Sequence, residues 1–190
     1  MMLAHEIPAR GPSVATAEAI RAQIPVLETE RLTLRAPRIE DFQGYAEIME
    51  QPSAAYMLDA PDRESAWLDF CQLTATWALR GHGAWAVDFD GDLAGFVLLG
   101  FEPGDLEPEL GYMLRPAFQG KGLAREAAEA ARTYAFRQLN FTTLVSTIDP
   151  RNAASIQLAE RLGGTRDALS EEQLGDGTLV YRYLNTEAVA

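Results

Sequence analysis

The residue pattern that most clearly predicts chemistry is a glycine turn at residues 115–124. The sequence there is Arg-Pro-Ala-Phe-Gln-Gly-Lys-Gly-Leu-Ala, between a predicted strand and an alanine-rich predicted helix. Because Gly120 and Gly122 lack Cβ atoms, consecutive backbone N–H groups can approach an anion closely. The helix dipole favours such an anion by about 0.3 to 1 kcal/mol, and Lys121 and Arg125 add positive charge. The turn therefore predicts a site for a pyrophosphate.

Other phosphate sites fit this turn less well. No Gly-Lys-Ser/Thr follows at the spacing of a P-loop, and a dinucleotide-binding fingerprint needs a third glycine. Nucleotide hydrolysis and Rossmann chemistry are therefore disfavoured. A purely structural role stays open, in which Gly120 and Gly122 make a tight turn and Ala124 packs against a strand.

Hydrophobic periodicity predicts the elements that position this turn. Asp90-Gly91 predicts a tight hairpin. The predicted strands cover residues 31–36, 84–89, 92–100, 109–114, 143–148, 165–169 and 178–184. The predicted helices cover residues 16–24, 42–49, 62–79, 123–139 and 152–163. Their order predicts one α+β domain with a mixed central sheet of about six or seven strands and helices on both faces.

Composition limits the class of protein. The chain has 190 residues, 47% of them hydrophobic and 23% charged, which is typical of one soluble domain. A net charge of −12 disfavours nucleic-acid binding and favours cationic substrates such as amines. In this acidic chain Arg115, Lys121, Arg125 and Arg132 form a local positive stretch, which a pyrophosphate ligand would explain.

Several classes of site and location are disfavoured. A single cysteine and the absence of a Cys/His cluster argue against disulfides and a metal site. No apolar run is long enough for a signal peptide or a membrane span, so we expect a cytoplasmic protein. We expect residues 1–27 to form a poorly ordered arm or a short docked helix, and residues 28–186 to form the domain. A monomer and a homodimer both remain open.

Four motifs in one order resemble a known family. Gln119-x-x-Gly122-x-Ala124 matches the acyl-CoA signature of the GNAT acetyltransferases. The other three are Leu-Glu-Thr-Glu-Arg-Leu-Thr-Leu-Arg at 27–35, Glu-Leu-Gly-Tyr at 109–112, and Asn-Ala-Ala-Ser at 152–155 with Gly163. Together they resemble the ribosomal-protein N-acetyltransferase branch of the RimJ/RimL type, over about residues 27–185.

This resemblance implies acetyl-CoA as the acyl donor and an amine as the acceptor. It implies that Met113, Leu114 and Arg115 lie beside the pantetheine. Asn152 would contact the same cofactor arm, although a plain helix N-cap explains it equally well. The residues implied around the pyrophosphate are Gln119, Gly120, Lys121, Gly122, Leu123, Ala124 and Arg125.

Attack by an amine on a thioester needs a base. An alkyl amine with a pKa of about 10 is neutral in only about one part in a thousand at pH 7. Glu109 is the first candidate, because it opens the strand that leads into the glycine turn. Glu107 is the alternative, and either residue could be an exposed carboxylate at a strand end.

The sequence departs from the family pattern at the expected acid. Many members place a tyrosine seven residues after the asparagine to protonate the CoA thiolate, and here that residue is Ala159. We expect Ser155 to substitute for it and to lie beside the cofactor. A serine bonded to its own backbone, with solvent as the acid, remains open. So do a non-catalytic acyl-CoA sensor and a structural domain that binds nothing at the turn.

Four other residues have less specific interpretations. His82, between two glycines, is expected to be a loop residue, and Cys71 is expected to pack on an apolar helix stripe. Asp59 and Asp62 precede the helix at 62–79, where the resemblance places the acceptor site. They could attract a cationic amine, although helix capping also explains Asp62.

Overall fold

A mixed sheet forms the centre of the computed structural model, which describes residues 3–57 and 62–186. Its eight strands lie in the order β1-β2-β3-β4-β5-β6-β8-β7. Their bounds are β1 Leu27–Glu28, β2 Leu32–Arg35, β3 Ala84–Phe89, β4 Asp92–Gly100, β5 Glu109–Leu114, β6 Thr143–Ile148, β7 Thr165–Arg166 and β8 Leu179–Leu184. The predicted α+β class and mixed sheet are confirmed, and a short edge strand, β1, adds to the strands expected.

Helices cover both faces of this sheet. They are α1 Ser13–Arg21, α2 Phe42–Met49, α3 Arg63–Arg80, α4 Leu123–Arg137, α5 Ala153–Arg161 and α6 Ala168–Leu174. Leu98 and Leu99 are neighbours on β4, yet they belong to two different apolar clusters, because successive side chains of a strand point to opposite faces. Helices α2 and α3 pack in the Leu98 cluster, and α4 packs in the Leu99 cluster.

Small side chains bring α4 close to the sheet. Ala127, Ala128, Ala131 and Ala135 are all buried on one face of this helix, as its periodicity predicts. The packing of this alanine face fixes the position of α4, which begins directly after the glycine turn.

The apolar stripe of α3 differs from the predicted one. Its buried residues are Ala66, Phe70, Leu73 and Thr76, at the three- and four-residue spacing of a helix face. Cys71 lies one position past Phe70 and is exposed, so its assignment to the stripe was wrong.

The predicted strand at 165–169 is interrupted. Only Thr165–Arg166 pairs with β8, because the side chain of Asp167 accepts hydrogen bonds from the N–H groups of Leu169 and Ser170 and begins α6. An aspartate at this position favours a helix start over continued extension.

Residues before the sheet contact it through side chains. The indole N–H of Trp85 donates to the carbonyl of Pro25 at 2.8 Å, and Ile24 is buried in the Leu99 cluster. Further upstream, the buried Glu6 forms a 2.6 Å ion pair with Arg63 of α3. The arm proposed for residues 1–27 therefore includes positions that are bonded to the domain.

Two antiparallel halves make up the sheet. Strands β4 and β5 pair over six positions, and so do β6 and β8. Between them, β5 and β6 run parallel and pair only at Glu109 and Val145. Beyond that pair no ladder joins the two strands, so a gap opens in the middle of the sheet.

Candidate active site

The gap between β5 and β6 contains a cavity of about 190 Å³. Residues 109–113 of β5 and 146–148 of β6 line it, together with Asn152 and Ser155 from the start of α5. Side chains of α2 and α3 line it as well. The strand that precedes the glycine turn thus forms one wall of this cavity.

Glu109 is anchored at the point where the two strands separate. Its Oε1 accepts a hydrogen bond from the N–H of Thr147 at 2.7 Å and another from the Thr147 hydroxyl at 2.6 Å. Burial raises the pKa of Glu109, and the two bonds from Thr147 oppose that shift. Both bonds reach Oε1, so neither of them uses Oε2.

A serine hydroxyl replaces part of the missing ladder. Ser146 Oγ donates to the carbonyl of Leu110 at 2.6 Å and lies 3.2 Å from the Tyr183 hydroxyl. The N–H of Val145 donates to the Pro108 carbonyl at 3.2 Å. Backbone groups near the gap are thereby satisfied without a continuous ladder.

Glu107 lies outside this cavity. Arg182 on β8 donates to Glu107 Oε2 at 2.7 Å and also pairs with Asp167 at 2.7 Å. Glu107 borders a different, smaller cavity. Its carboxylate joins two parts of the fold, so the geometry favours Glu109 over Glu107 as a base.

The start of α5 faces Glu109 across the gap. Asn152 caps the helix, since its Oδ1 accepts from the N–H of Ser155 at 3.2 Å. The hydroxyl of Tyr112, on β5, donates to the Ser155 carbonyl at 3.1 Å. Ala159 is fully buried in the core and faces away from the cavity walls. Tyr112 is a cavity residue that sequence reasoning missed, although it stands in the same Glu-Leu-Gly-Tyr motif as Glu109.

The glycine turn directly follows β5. Gly120 and Gly122 have φ angles of +73° and +78°, and Gly122 is the N-cap of α4 without a side-chain cap. A Cβ built on Gly120 meets no atom within 4 Å, and one on Gly122 meets only Arg31, at 3.6 Å. The first N–H groups of α4 have no partner within the helix, so an anion has open access to them.

One ion pair and two hydrogen bonds stabilise this turn. Arg31 donates to the Lys121 carbonyl at 3.2 Å and pairs with Glu126 at 2.7 Å. Gln119 Nε2 donates to the Leu114 carbonyl at 3.0 Å. These contacts stabilise the conformation of the loop. The Gln119 side chain takes part in one of them, through its bond to the backbone of Leu114.

The candidate cofactor residues divide between cavity, turn and core. Met113 lines the cavity, whereas Leu114 and Leu123 are buried and Ala124 is half-buried. Lys121 lies 5.4 Å from the centre of the Phe118 ring.

Three arginines of the positive stretch have partners within the protein. Arg115 pairs with Glu47 at 2.7 Å, Arg125 pairs with Glu129 at 2.9 Å, and Arg132 donates to the Leu162 carbonyl. Much of the positive stretch therefore has a structural explanation.

Other groups considered from the sequence have structural contacts. His82 is buried, and its Nδ1 lies 2.7 Å from the Leu99 carbonyl oxygen. Asp62 caps α3 through a 2.7 Å bond from the Ser65 N–H, and Asp59 lies outside the described residues. Among the residues described, no group of three His, Cys, Asp or Glu side chains could hold a metal ion. In the same part of the chain, no helix is both long and apolar enough to cross a membrane.

Comparison with known proteins identifies the family. Residues 31–165 match the acetyltransferase (GNAT) domain family. The chain belongs to the GNAT acetyltransferases. An acetyltransferase from Agrobacterium tumefaciens strain C58 has a similar structure, with a TM-score of 0.80 and 41% identity over 85% of this chain and 95% of that one. The resemblance to this family and the predicted N-acetyltransferase class are thereby confirmed.

The curated relatives that are named as N-acetyltransferases agree with this assignment. The N-acetyltransferase p20 of Bacillus licheniformis is 29% identical over 83% of this chain and 93% of its own. Spermidine N(1)-acetyltransferase of Escherichia coli K12 is 36% identical over 40% of this chain and 42% of its own. The match to the N-acetyltransferase YnaD of Bacillus subtilis, 30% identical, spans 36% of this chain and 41% of YnaD. The match to YkkB, from the same species, is 44% identical and spans 29% of this chain and 32% of YkkB.

A solved structure of RimL, a ribosomal L7/L12 alpha-N-protein acetyltransferase in complex with coenzyme A, shares the fold. Its TM-score is 0.65, with 18% identity over 84% of this chain and 98% of that one. At this identity the likeness establishes the fold alone.

We predict that Thr147→Val raises the pKa of Glu109. The valine has nearly the same shape but removes the hydroxyl that donates to Oε1, so the charged carboxylate loses one of its two bonds. Carboxyl chemical shifts measured by NMR during a pH titration would show the change.

Thr133→Val is the matched control, because that hydroxyl bonds only to the backbone of its own helix. An unchanged or lower pKa of Glu109 in Thr147→Val would contradict the assigned hydrogen bonds.

Proposed function

We propose that this protein transfers the acetyl group of acetyl-CoA to a primary amine. The observation that carries this proposal is the gap between β5 and β6, which has Glu109 on one side and the start of α5 on the other. The glycine turn follows directly at the end of β5. Glu109 and the glycine turn therefore lie at the two ends of β5, and the start of α5 lines the same cavity as Glu109.

The turn fits the pyrophosphate of acetyl-CoA. It combines two left-handed glycines with the first N–H groups of α4, and the position of a Cβ on Gly120 has no atom within 4 Å. Lys121 is the cation of this loop for which the structure shows no ion pair, among the described residues. Bound there, acetyl-CoA would supply the activated thioester, and the pantetheine would extend past Met113 toward Asn152.

Glu109 is proposed as the base. The acceptor nitrogen forms a bond to the thioester carbonyl carbon, and its proton passes to Glu109, directly or through a water molecule. The carbon–sulfur bond breaks and CoA leaves. A carboxylate whose pKa is raised by burial binds that proton more readily than an exposed one.

Ser155 is proposed to protonate the departing thiolate. It lies in the cavity wall at the start of α5, and its carbonyl is held by the Tyr112 hydroxyl. The positive end of the α5 dipole also favours a developing thiolate there. Tyr112 is a second hydroxyl at the same wall.

The acceptor is an amine, and its chemical type is a separate question. One similar protein is a spermidine N(1)-acetyltransferase, and its acceptor is an amine, which supports acetylation of an amine here. The RimJ/RimL branch remains a proposal supported by the four sequence motifs. A non-catalytic acyl-CoA sensor is the alternative, and it would bind acetyl-CoA without releasing CoA when amines are added.

We expect Gly122→Val to weaken acetyl-CoA binding by about tenfold or more. The new side chain would project where the phosphate approaches, and the loss of one charged hydrogen bond alone is of this size. Calorimetric titration with acetyl-CoA measures the affinity.

Gly91→Val controls for backbone strain. Gly91 has a φ of +86° in the β3–β4 hairpin and an equally open Cβ position. If Gly122→Val folds and binds like the wild type, the pyrophosphate site lies elsewhere.

Glu109→Gln should lower kcat/KM by about 10² to 10⁴-fold, because the amide cannot accept the proton. In the wild type, activity should fall as the pH drops through the raised pKa of Glu109, and the variant should lose this acidic limb. Initial rates of CoA release across pH 5 to 9, tested with several primary amines, provide the measurement.

Glu107→Gln is the comparison variant, since it breaks the ion pair with Arg182 outside the cavity. We expect it to lower stability while keeping the acidic limb. A Glu109→Gln variant with near-normal activity at all pH values would remove Glu109 from the mechanism.

Ser155→Ala should lower kcat more than it changes acetyl-CoA affinity. The hydroxyl acts on the leaving thiolate, which forms only after binding. Single-turnover rates compared with Tyr112→Phe identify which hydroxyl is the acid. Unchanged rates in both variants would leave solvent as the proton donor.

A further inference from the structure

Three carboxylates in the active-site cavity lack a positively charged partner. Asp69 on α3, Glu102 after β4 and Glu109 on β5 all line it. Asp69 accepts a hydrogen bond from the Tyr45 hydroxyl, and Glu109 accepts its bonds from Thr147. No arginine, lysine or histidine lines the cavity within the described part of the chain.

Several acidic side chains elsewhere in the chain form ion pairs with arginine. Asp149, at the rim of the same cavity, pairs with Arg151 at 2.5 Å. Glu107 pairs with Arg182, and Glu126 pairs with Arg31. The fold thus neutralises many of its carboxylates with arginine but leaves those at the centre of the cavity without a counter-ion.

Without a ligand, the neighbouring carboxylates of the cavity repel one another. Burial, together with the neighbouring charges of Asp69, Asp105 and Glu109, raises the pKa of Glu102 to about 7. Burial also raises the pKa of Asp69. A cation placed among these groups would favour their charged forms and relieve the repulsion between them.

The rest of the cavity suits a narrow, apolar chain. Met49, Leu73, Leu98 and Met113 contribute apolar surface between the acidic groups of the lining. The volume of about 190 Å³ lies below the roughly 300 to 1,000 Å³ of pockets that hold drug-sized ligands. A slender molecule with charged ends fits these walls better than a bulky ring system.

We infer that the acceptor is a linear aliphatic diamine or polyamine. One primary amine lies at Glu109, where it is acetylated, and a second, protonated nitrogen lies against Asp69 and Glu102. The methylene chain between them packs on the apolar lining. This inference rests on the proposed function and goes beyond it by naming the acceptor class.

The experiment compares acceptors that differ in one charge. Diaminoalkanes with three to six carbons are matched with n-alkylamines of the same length, and an alanine dipeptide amide supplies a free N-terminus. Initial rates of CoA release give kcat/KM for each with the full-length protein. We expect the preferred diamine to exceed its matched monoamine by about tenfold or more, the size of one charged hydrogen bond.

Glu102→Gln tests whether Glu102 binds the second, protonated nitrogen of the diamine. We expect it to reduce the preference for diamine over monoamine by about tenfold, chiefly through the KM of the diamine. Glu129→Gln removes the same charge from the exposed face of α4 and should leave that preference unchanged.

The outcomes separate the two proposals. If monoamines or the dipeptide react as well as diamines, or if Glu102→Gln keeps the full preference, the acceptor class is wrong and the acetyltransferase proposal stands. If acetyl-CoA binds but no amine of any class releases CoA, the proposed function itself fails.

Discussion

A single parallel pair of residues joins the two halves of the central sheet, and the candidate site depends on it. Glu109 and Val145 are the one position at which β5 and β6 are in register. Past this position each strand keeps its antiparallel neighbour and loses the other, so both can diverge without losing their own ladders. Instead of ladder bonds, the Glu109 side chain accepts from the N–H of Thr147, and the Ser146 hydroxyl donates to the Leu110 carbonyl. The cavity therefore exists because β5 and β6 pair at a single position. Glu109, the proposed base, is one of the two residues of that pair.

Arginines hold the fold together around this opening. Arg182 connects β8 to Glu107 and to the start of α6, Arg31 connects the chain before β2 to α4, and Arg115 connects the end of β5 to Glu47 of α2. Arginine suits this role because its planar guanidinium can bond several acceptors at once. The anion site proposed at the glycine turn would consequently rely on backbone N–H groups and the helix dipole more than on arginines that already form ion pairs.

The departure from the family pattern at Ala159 has a structural counterpart. Position 159 faces the packed core, where it is fully buried, and the N–H of Gly164 bonds to its carbonyl. At the other end of α5, Ser155 and the hydroxyl of Tyr112 lie in the cavity wall. The helix start and β5 thus both place hydroxyl groups in the cavity wall, where the proposed mechanism needs an acid, without a tyrosine later on α5.

Local patterns in the sequence determined most of the elements and their order along the chain, but not the order of the strands within the sheet. The alternation of β5, the glycines of the turn and the alanine face of α4 depend on nearby residues only, so their positions could be read directly. Glu109 and Ser155 were proposed in the same way, because each stands in a short motif next to an element boundary, and both line the cavity. Contacts between distant segments were decided by the tertiary structure alone. Asp69 and Glu102 are 33 positions apart and enter one cavity only when α3 packs on the sheet, while Glu107 turns toward Arg182, a residue on β8 that follows it by 75 positions. Periodicity shows which face of an element is apolar but not which partner that face meets, since the partner is chosen by packing across the whole domain.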